Sequence, residues 1–244
     1  MEKILILDLY DTVLKDVSFD FNKGTKYLHN KYFSDKCTFE EIKTFEEKFL
    51  PLYDMRSINH TEVCLAKDEL PLVFEEFNVP LPEDMELLDF EVMQQMQQVT
   101  LLEEVKETLK YLHDEGVSMY ILSNSIFMGS SAWKLLESFG INQYFKKLYS
   151  SADYGIRKPS QKFFNLAIAE ILSDNPTVNR NDIFYVGNDY KTDVMGANEA
   201  GLKTIWYNVK HCPNVNNVEV WDIYDFREIS RILEVKIKGK NNMF

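Results

Sequence analysis

From about residue 101 the chain alternates short apolar runs with amphipathic stretches, and this rhythm restricts the fold more than any other feature. Glu103 to Glu115 carries a helical pattern closed by Gly116, Ser118 to Leu122 reads as a strand, and Ser130 to Phe139 reads as a helix closed by Gly140. Further strands are predicted at Lys147 to Ser150, Ile183 to Val186 and Lys203 to Tyr207, with helices at Gln161 to Leu172 and Thr192 to Ala200 between them. Strands separated by helices cannot close as hairpins, so they pair in one direction: the fold class is α/β, a doubly wound parallel sheet. The first strand, Lys3 to Leu7, must join that sheet, because its four-residue apolar run cannot bury itself alone.

Between residues 15 and 98 no strand alternation is apparent. Helical patterns occupy Phe19 to Phe33, Thr38 to Leu50, Thr61 to Phe77 and Pro82 to Gln98, with Pro51, Pro80 and Pro82 as punctuation. The expected organisation is a core of residues 1–14 and 99–235, a helical cap of residues 15–98, and a frayed basic tail at 236–244. In an open α/β sheet the ligand lies beyond the carboxyl ends of the strands. A helical insertion directly after the first strand therefore covers the site and can exclude water from it.

The chain has 27 Lys and Arg against 39 Asp and Glu, a net charge of −12. Such a field repels nucleic acid and anionic membrane surfaces, which leaves a small molecule as the expected partner. If that molecule is an anion, the site must create a local positive potential against the sign of the whole surface. Cys37, Cys64 and Cys212 are scattered and odd in number, as suits free thiols in a reducing compartment. No window reaches membrane-spanning length and the first apolar run is too short for a signal-peptide core, so the expected location is the cytoplasm.

Four segments carry candidate chemistry, each at the end of a predicted strand or in a loop. Asp8 follows Ile4-Leu5-Ile6-Leu7 and precedes Tyr10, Asp11 and Thr12; Ser123-Asn124 follows Met119 to Leu122; Lys158-Pro159 ends the loop from Ser151; and Gly187-Asn188-Asp189 through Asp193 follows Ile183 to Val186. A carboxylate at a strand mouth can act as nucleophile or hold a cation, and a hydroxyl beside free backbone N–H groups can bind phosphoryl oxygens. A lysine supplies compact positive charge, and the oxygens of the last segment suit Mg²⁺. In this order the four pieces resemble the haloacid dehalogenase superfamily of hydrolases, over nearly the whole chain. The resemblance implies that Asp8 is a nucleophile forming a covalent aspartyl intermediate and that Lys158 neutralises it together with an incoming small anionic substrate. It also implies that Ser123, Asn124 and Thr12 serve substrate binding and loop support, and that Asp8, the Tyr10 carbonyl, Asn188, Asp189 and Asp193 provide the Mg²⁺ site.

Two positions depart from that family's pattern. Tyr10 stands where its phosphatases have the Asp that protonates the leaving alcohol, and Asn188 stands where the last motif begins with Asp. Asp11 and Asp189 lie beside them as possible replacements. The haloacid dehalogenases themselves resemble this chain at Tyr10 and use no metal. They carry Gly at the position of Asp11 and Tyr at that of Phe164, and their cap arginine comes earlier than Arg56. The expected function is therefore a Mg²⁺-dependent phosphatase of small phosphorylated metabolites. A metal-free dehalogenase and a catalytically silent binding protein are the alternatives.

Overall fold

The computed structural model describes residues 3–234; the predicted tail at 236–244 lies outside them. In chain order the strands are β1 (Ile4–Leu7), β2 (Lys15–Phe19), β3 (Gln97–Thr100), β4 (Ser118–Ser123), β5 (Phe145–Ser150), β6 (Ile183–Gly187), β7 (Lys203–Tyr207) and β8 (Trp221–Ile223). Six of them form one sheet in the order β5-β4-β1-β6-β7-β8, and every neighbouring pair is parallel. The strand alternation of β1 divides its residues between the two faces. Leu5 and Leu7 join the core under the helices Glu103–Asp114 and Gly129–Ser138, whereas Ile4 and Ile6 join the core under Gln161–Asp174 and Gly196–Glu199. All four are fully buried, as a strand covered on both faces requires. This is the doubly wound α/β sheet that the sequence rhythm predicts.

The sheet extends one strand further than expected. β8 pairs parallel with the edge strand β7 but is only three residues long, too short for a periodicity to register. The segment between the first strand and the rest of the sheet also differs from expectation at its two ends. β2 and β3 pair antiparallel, Lys15 opposite Thr100 and Phe19 opposite Gln97, so a two-stranded ribbon joins the helical lobe to the sheet. Their sequences, KDVSF and QQVT, have no buried face, which removes the usual strand signal.

Within the lobe, helices at Phe21–Leu28, Phe39–Glu46, Leu50–Asn59, Leu70–Glu76 and Met85–Met96 surround an apolar cluster that includes Leu28, Phe33, Val73, Phe74 and Val92. Pro51 does not separate helices here. It sits in the first turn of Leu50–Asn59, where its missing N–H has no partner to lose. Ile126 and Phe127, which follow β4, insert into the same cluster and bind the lobe to the sheet. Among the described residues no helix is long and apolar enough to cross a membrane.

Candidate active site

Three strands bring the chemistry together. β1 lies between β4 and β6, and the Asp8 N–H donates to the Val186 carbonyl at 2.8 Å, so Asp8 leaves the sheet at its carboxyl edge beside the ends of both neighbours. This is where the strand order reverses and an open sheet parts into a crevice. Lys158 enters from the loop before Gln161–Asp174, its side chain only 1% exposed. A buried ammonium has to be paired, and this one is paired completely. Its three protons face Asp8 Oδ1 at 2.6 Å, Asp193 Oδ1 at 2.7 Å and the Tyr185 hydroxyl at 2.9 Å, while Tyr185 donates to Asp193 Oδ1 at 2.7 Å. Gly187 permits this arrangement, since a Cβ there would stand 2.5 Å from the Asp193 side chain.

Two buried carboxylates against one ammonium leave a formal charge of −1. Burial raises the Asp8 pKa to about 7 against the pull of Lys158, with Asp193 pushing it further up. Burial also works against the Lys158 ammonium, but Asp193 and Asp8 outweigh it and hold its pKa above the ordinary value. Asp8 is therefore poised to exchange a proton near neutrality, and a second cation beside it would favour its ionised form.

The corner beside Asp8 is rich in oxygen acceptors. The Thr12 hydroxyl has one proton but lies within reach of two acceptors, Asp8 Oδ2 at 3.1 Å and Asn188 Oδ1 at 3.3 Å. One of these oxygens must lack a proton, and an excess of oxygen acceptors is what a hard dication satisfies. The acceptors are one carboxylate and one amide; among the described residues no three acidic, His or Cys side chains gather in a metal-binding arrangement. Asp189 is not directed to this corner. Its Oδ1 accepts from the Thr192 N–H at 2.7 Å and the Thr192 hydroxyl at 2.9 Å, capping the helical turn that begins at Tyr190. Asn188 is fixed from behind by the Trp206 indole N–H, which donates to its carbonyl at 3.0 Å. Asn188→Ala should therefore weaken Mg²⁺ binding more than Asp189→Ala does. Titration calorimetry with MgCl₂ checks this, and the reverse order would return Asp189 to the metal.

The remaining expected residues divide. Ser123 ends β4 fully buried, and its hydroxyl has no hydrogen-bond partner among the described residues. Asn124 pairs with the lysine loop: its Oδ1 accepts from the Lys158 N–H at 2.8 Å and its Nδ2 donates to the Lys158 carbonyl at 3.1 Å. It fixes the backbone of the lysine loop.

A family model described as haloacid dehalogenase-like hydrolase matches residues 43–207, most of the chain. The chain belongs to the haloacid dehalogenase-like hydrolase family. The matched span contains Ser123, Lys158 and Asp193 but not Asp8, which reaches them only through the fold. A putative HAD-hydrolase of Bacillus subtilis, YfnB, is 28% identical over 48% of each chain. Its magnesium-bound crystal structure aligns with a TM-score of 0.59 and 20% identity over 96% of this chain and 99% of that one. The Escherichia coli pyrimidine 5′-nucleotidase YjjG is 30% identical over 40% of this chain and 42% of its own. An (S)-2-haloacid dehalogenase of a Pseudomonas strain is 26% identical over 84% of this chain and 82% of its own. The chain spans about half the length of the first curated relatives it matches.

Within the haloacid dehalogenase-like family both phosphatases and dehalogenases are thus similar to this chain, and Tyr10 bears on the difference. Its hydroxyl oxygen is buried, and burial is the main reason that the phenol pKa lies above its ordinary value. A phenol so placed is a weak proton donor. Asp11, its neighbour, has a left-handed backbone (φ 57°), and its Oδ1 accepts from the Asp16 N–H at 3.2 Å, which ties it to the turn.

Two residues escaped the sequence reading. Tyr185 was hidden in an apolar run, with its single polar tip the only signal. Arg157, the residue before Lys158, turns inward beside Glu62, its Nε 3.7 Å from Glu62 Oε2.

Proposed function

We propose that the chain is a Mg²⁺-dependent phosphatase of small phosphorylated metabolites, working through a covalent intermediate on Asp8. The observation that carries this reading is the buried set of Asp8, Lys158 and Asp193, with its net charge of −1 and an acceptor-rich corner at Thr12 and Asn188. A phosphate dianion entering beside a net negative charge needs further positive charge, and Mg²⁺ held by Asp8, Asn188 and the Tyr10 carbonyl would supply it. The unpartnered Ser123 hydroxyl would donate to a phosphoryl oxygen, ending its own isolation. Relatives named as phosphatases and nucleotidases support the same class of substrate.

In the first step an ionised Asp8 oxygen attacks phosphorus, the ester P–O bond breaks, and the leaving oxygen takes a proton from a water molecule. In the second, water attacks the aspartyl phosphate, releasing phosphate and restoring the carboxylate. Lys158 would stay charged throughout, bridging Asp8 and Asp193. The helical lobe would act as a cap that keeps bulk water from the intermediate. A cytoplasmic setting accords with three free cysteines.

Because Asp8 takes up a proton near pH 7 and the nucleophile must be ionised, kcat/KM should fall as the pH drops below about 7. A dication beside the carboxylate favours its ionised form, so saturating Mg²⁺ should move this acid limb to lower pH. A pH–rate profile at two Mg²⁺ concentrations measures the shift; a limb that stays in place would put the metal away from Asp8.

The function itself is tested by a screen of phosphorylated metabolites with Mg²⁺ and with chelator, alongside halide release from 2-haloacids. The dehalogenase is the second reading, and Tyr10 favours it, since a halide leaves without a proton. Metal-independent halide release would establish that reading and remove this one.

A further inference from the structure

Between the lobe and the sheet lies a cleft of about 310 Å³ whose lining has no part in the charge set at Asp8. Tyr10 and Asn124 line one part of it, and Asn124 is the residue that holds the Lys158 backbone, so the cleft opens beside the proposed reacting centre. Its walls are aromatic. Phe127, from the loop after β4, lies 6.2 Å from Phe19; Phe19 lies 5.1 Å from Phe21; and Phe21 lies 5.4 Å from Tyr53 in the lobe. The rings form a continuous row from the sheet into the lobe. Phe127 is buried, yet Phe19 and Phe21 are each 43% exposed. Phe21 and Arg56 also line a second cavity, of about 270 Å³, among the lobe helices. Large aromatic surface left uncovered in a concave site beside polar groups is how a ligand pocket is built.

The polar groups of the cleft narrow the ligand. Glu62, its side chain 1% exposed, holds Arg56 Nη1 at 3.0 Å and Arg157 Nε at 3.7 Å. With Asp16 also in the lining, two carboxylates match two guanidiniums, so the cleft has no surplus charge for a second anionic group. Arg157 Nη1 is buried without a hydrogen-bond partner among the described residues. Such an N–H calls for a neutral acceptor, and carbonyl oxygens on the edge of a flat ring would provide one.

We propose that this cleft seats the organic body of the substrate and that this body is a planar heteroaromatic ring bearing carbonyl groups, so that the substrate is a nucleoside-type phosphomonoester. The inference rests on the phosphatase reading for the phosphate end only. Phe19 and Phe21 offer the stacking surface, Arg56 and Arg157 the donors to the ring edge, and Glu62 keeps the guanidiniums in place.

Uridine 5′-monophosphate and ribose 5-phosphate are the probes, since they share the phosphorylated sugar and differ in the base. Calorimetry on the native protein should find the nucleotide bound roughly tenfold or more tightly, the scale of one base stacked on an aromatic side chain. Phe21→Leu and Phe19→Leu keep an apolar residue at partly exposed positions, where the fold tolerates the change, and should each bring the two affinities towards equality. Equal affinities in the native protein, or a preference that survives both substitutions, would overturn the proposal. Turnover of acetyl phosphate, which has no ring, separates the two claims. Turnover without base-dependent binding removes the aromatic subsite and leaves the phosphatase, whereas base-dependent binding without any turnover removes the phosphatase and leaves the subsite.

Discussion

Asp8→Asn should abolish turnover, by roughly 10⁴-fold or more, in a protein that is at least as stable as the native one at pH 8. The loss follows from chemistry: an amide cannot attack phosphorus to form the aspartyl intermediate. The retained stability follows from charge. In the native protein the ionised Asp8 is buried and contributes to a site charge of −1, whereas Asn leaves Lys158 paired with Asp193 alone, a neutral pair. The Thr12 hydroxyl keeps an oxygen acceptor at position 8. Thermal melting at pH 8 and activity on a substrate identified by the screen measure both effects. A folded variant with native turnover would end the covalent mechanism.

Lys158→Ala should reduce kcat by roughly 10² to 10³, the scale of one preorganised electrostatic group. It should also lower stability by about 3 to 5 kcal/mol at pH 8, because Asp8 and Asp193 would remain buried without their common partner. The sign of the pH dependence is informative. A carboxyl whose folded pKa is raised binds a proton more readily in the folded than in the unfolded chain, so its burial destabilises most above that pKa and least below it. Without the ammonium Asp8 loses the charge that opposes its burial and moves further up, so the stability deficit of the variant should shrink as the pH falls from 8 to 5. Chemical denaturation across that range checks the trend. Native kcat together with native stability would mean that the ammonium is not needed where it stands.

The sheet was legible because its central strands are short apolar runs and the helices Glu103–Asp114 and Gly129–Ser138 are followed by Gly116 and Gly140 in left-handed backbone. What was not legible depends on partners distant in sequence. Lys15–Phe19 forms a strand because Gln97–Thr100 lies beside it, since neither has an apolar face to announce it. The helix expected from Thr61 begins later because Thr61 and Glu62 are drawn into extended pairing with the loop at Gly155 and Ile156, overriding their local preference. At the candidate site, residue types indicated which groups could do chemistry but not where each side chain would point. Asp189 looked like the natural replacement for a missing carboxylate, yet its position one residue before a helical turn makes it a cap. Asn188, lacking charge, is the one brought to Thr12. Nor does the sequence show that the Asn124 amide matches the backbone of a loop 34 positions away.

The pairing at Thr61 and Ile156 reaches further than secondary structure. The Glu62 N–H donates to the Gly155 carbonyl at 3.0 Å and the Arg157 N–H donates to the His60 carbonyl at 3.1 Å, so the lobe is fastened by main-chain hydrogen bonds to the residues immediately before Lys158. Any swing that parts lobe from sheet must break these bonds or drag the loop along, while Asn124 keeps its own hold on the Lys158 backbone from the sheet side. The placement of the lobe and the aim of the ammonium are therefore linked through one short stretch of backbone.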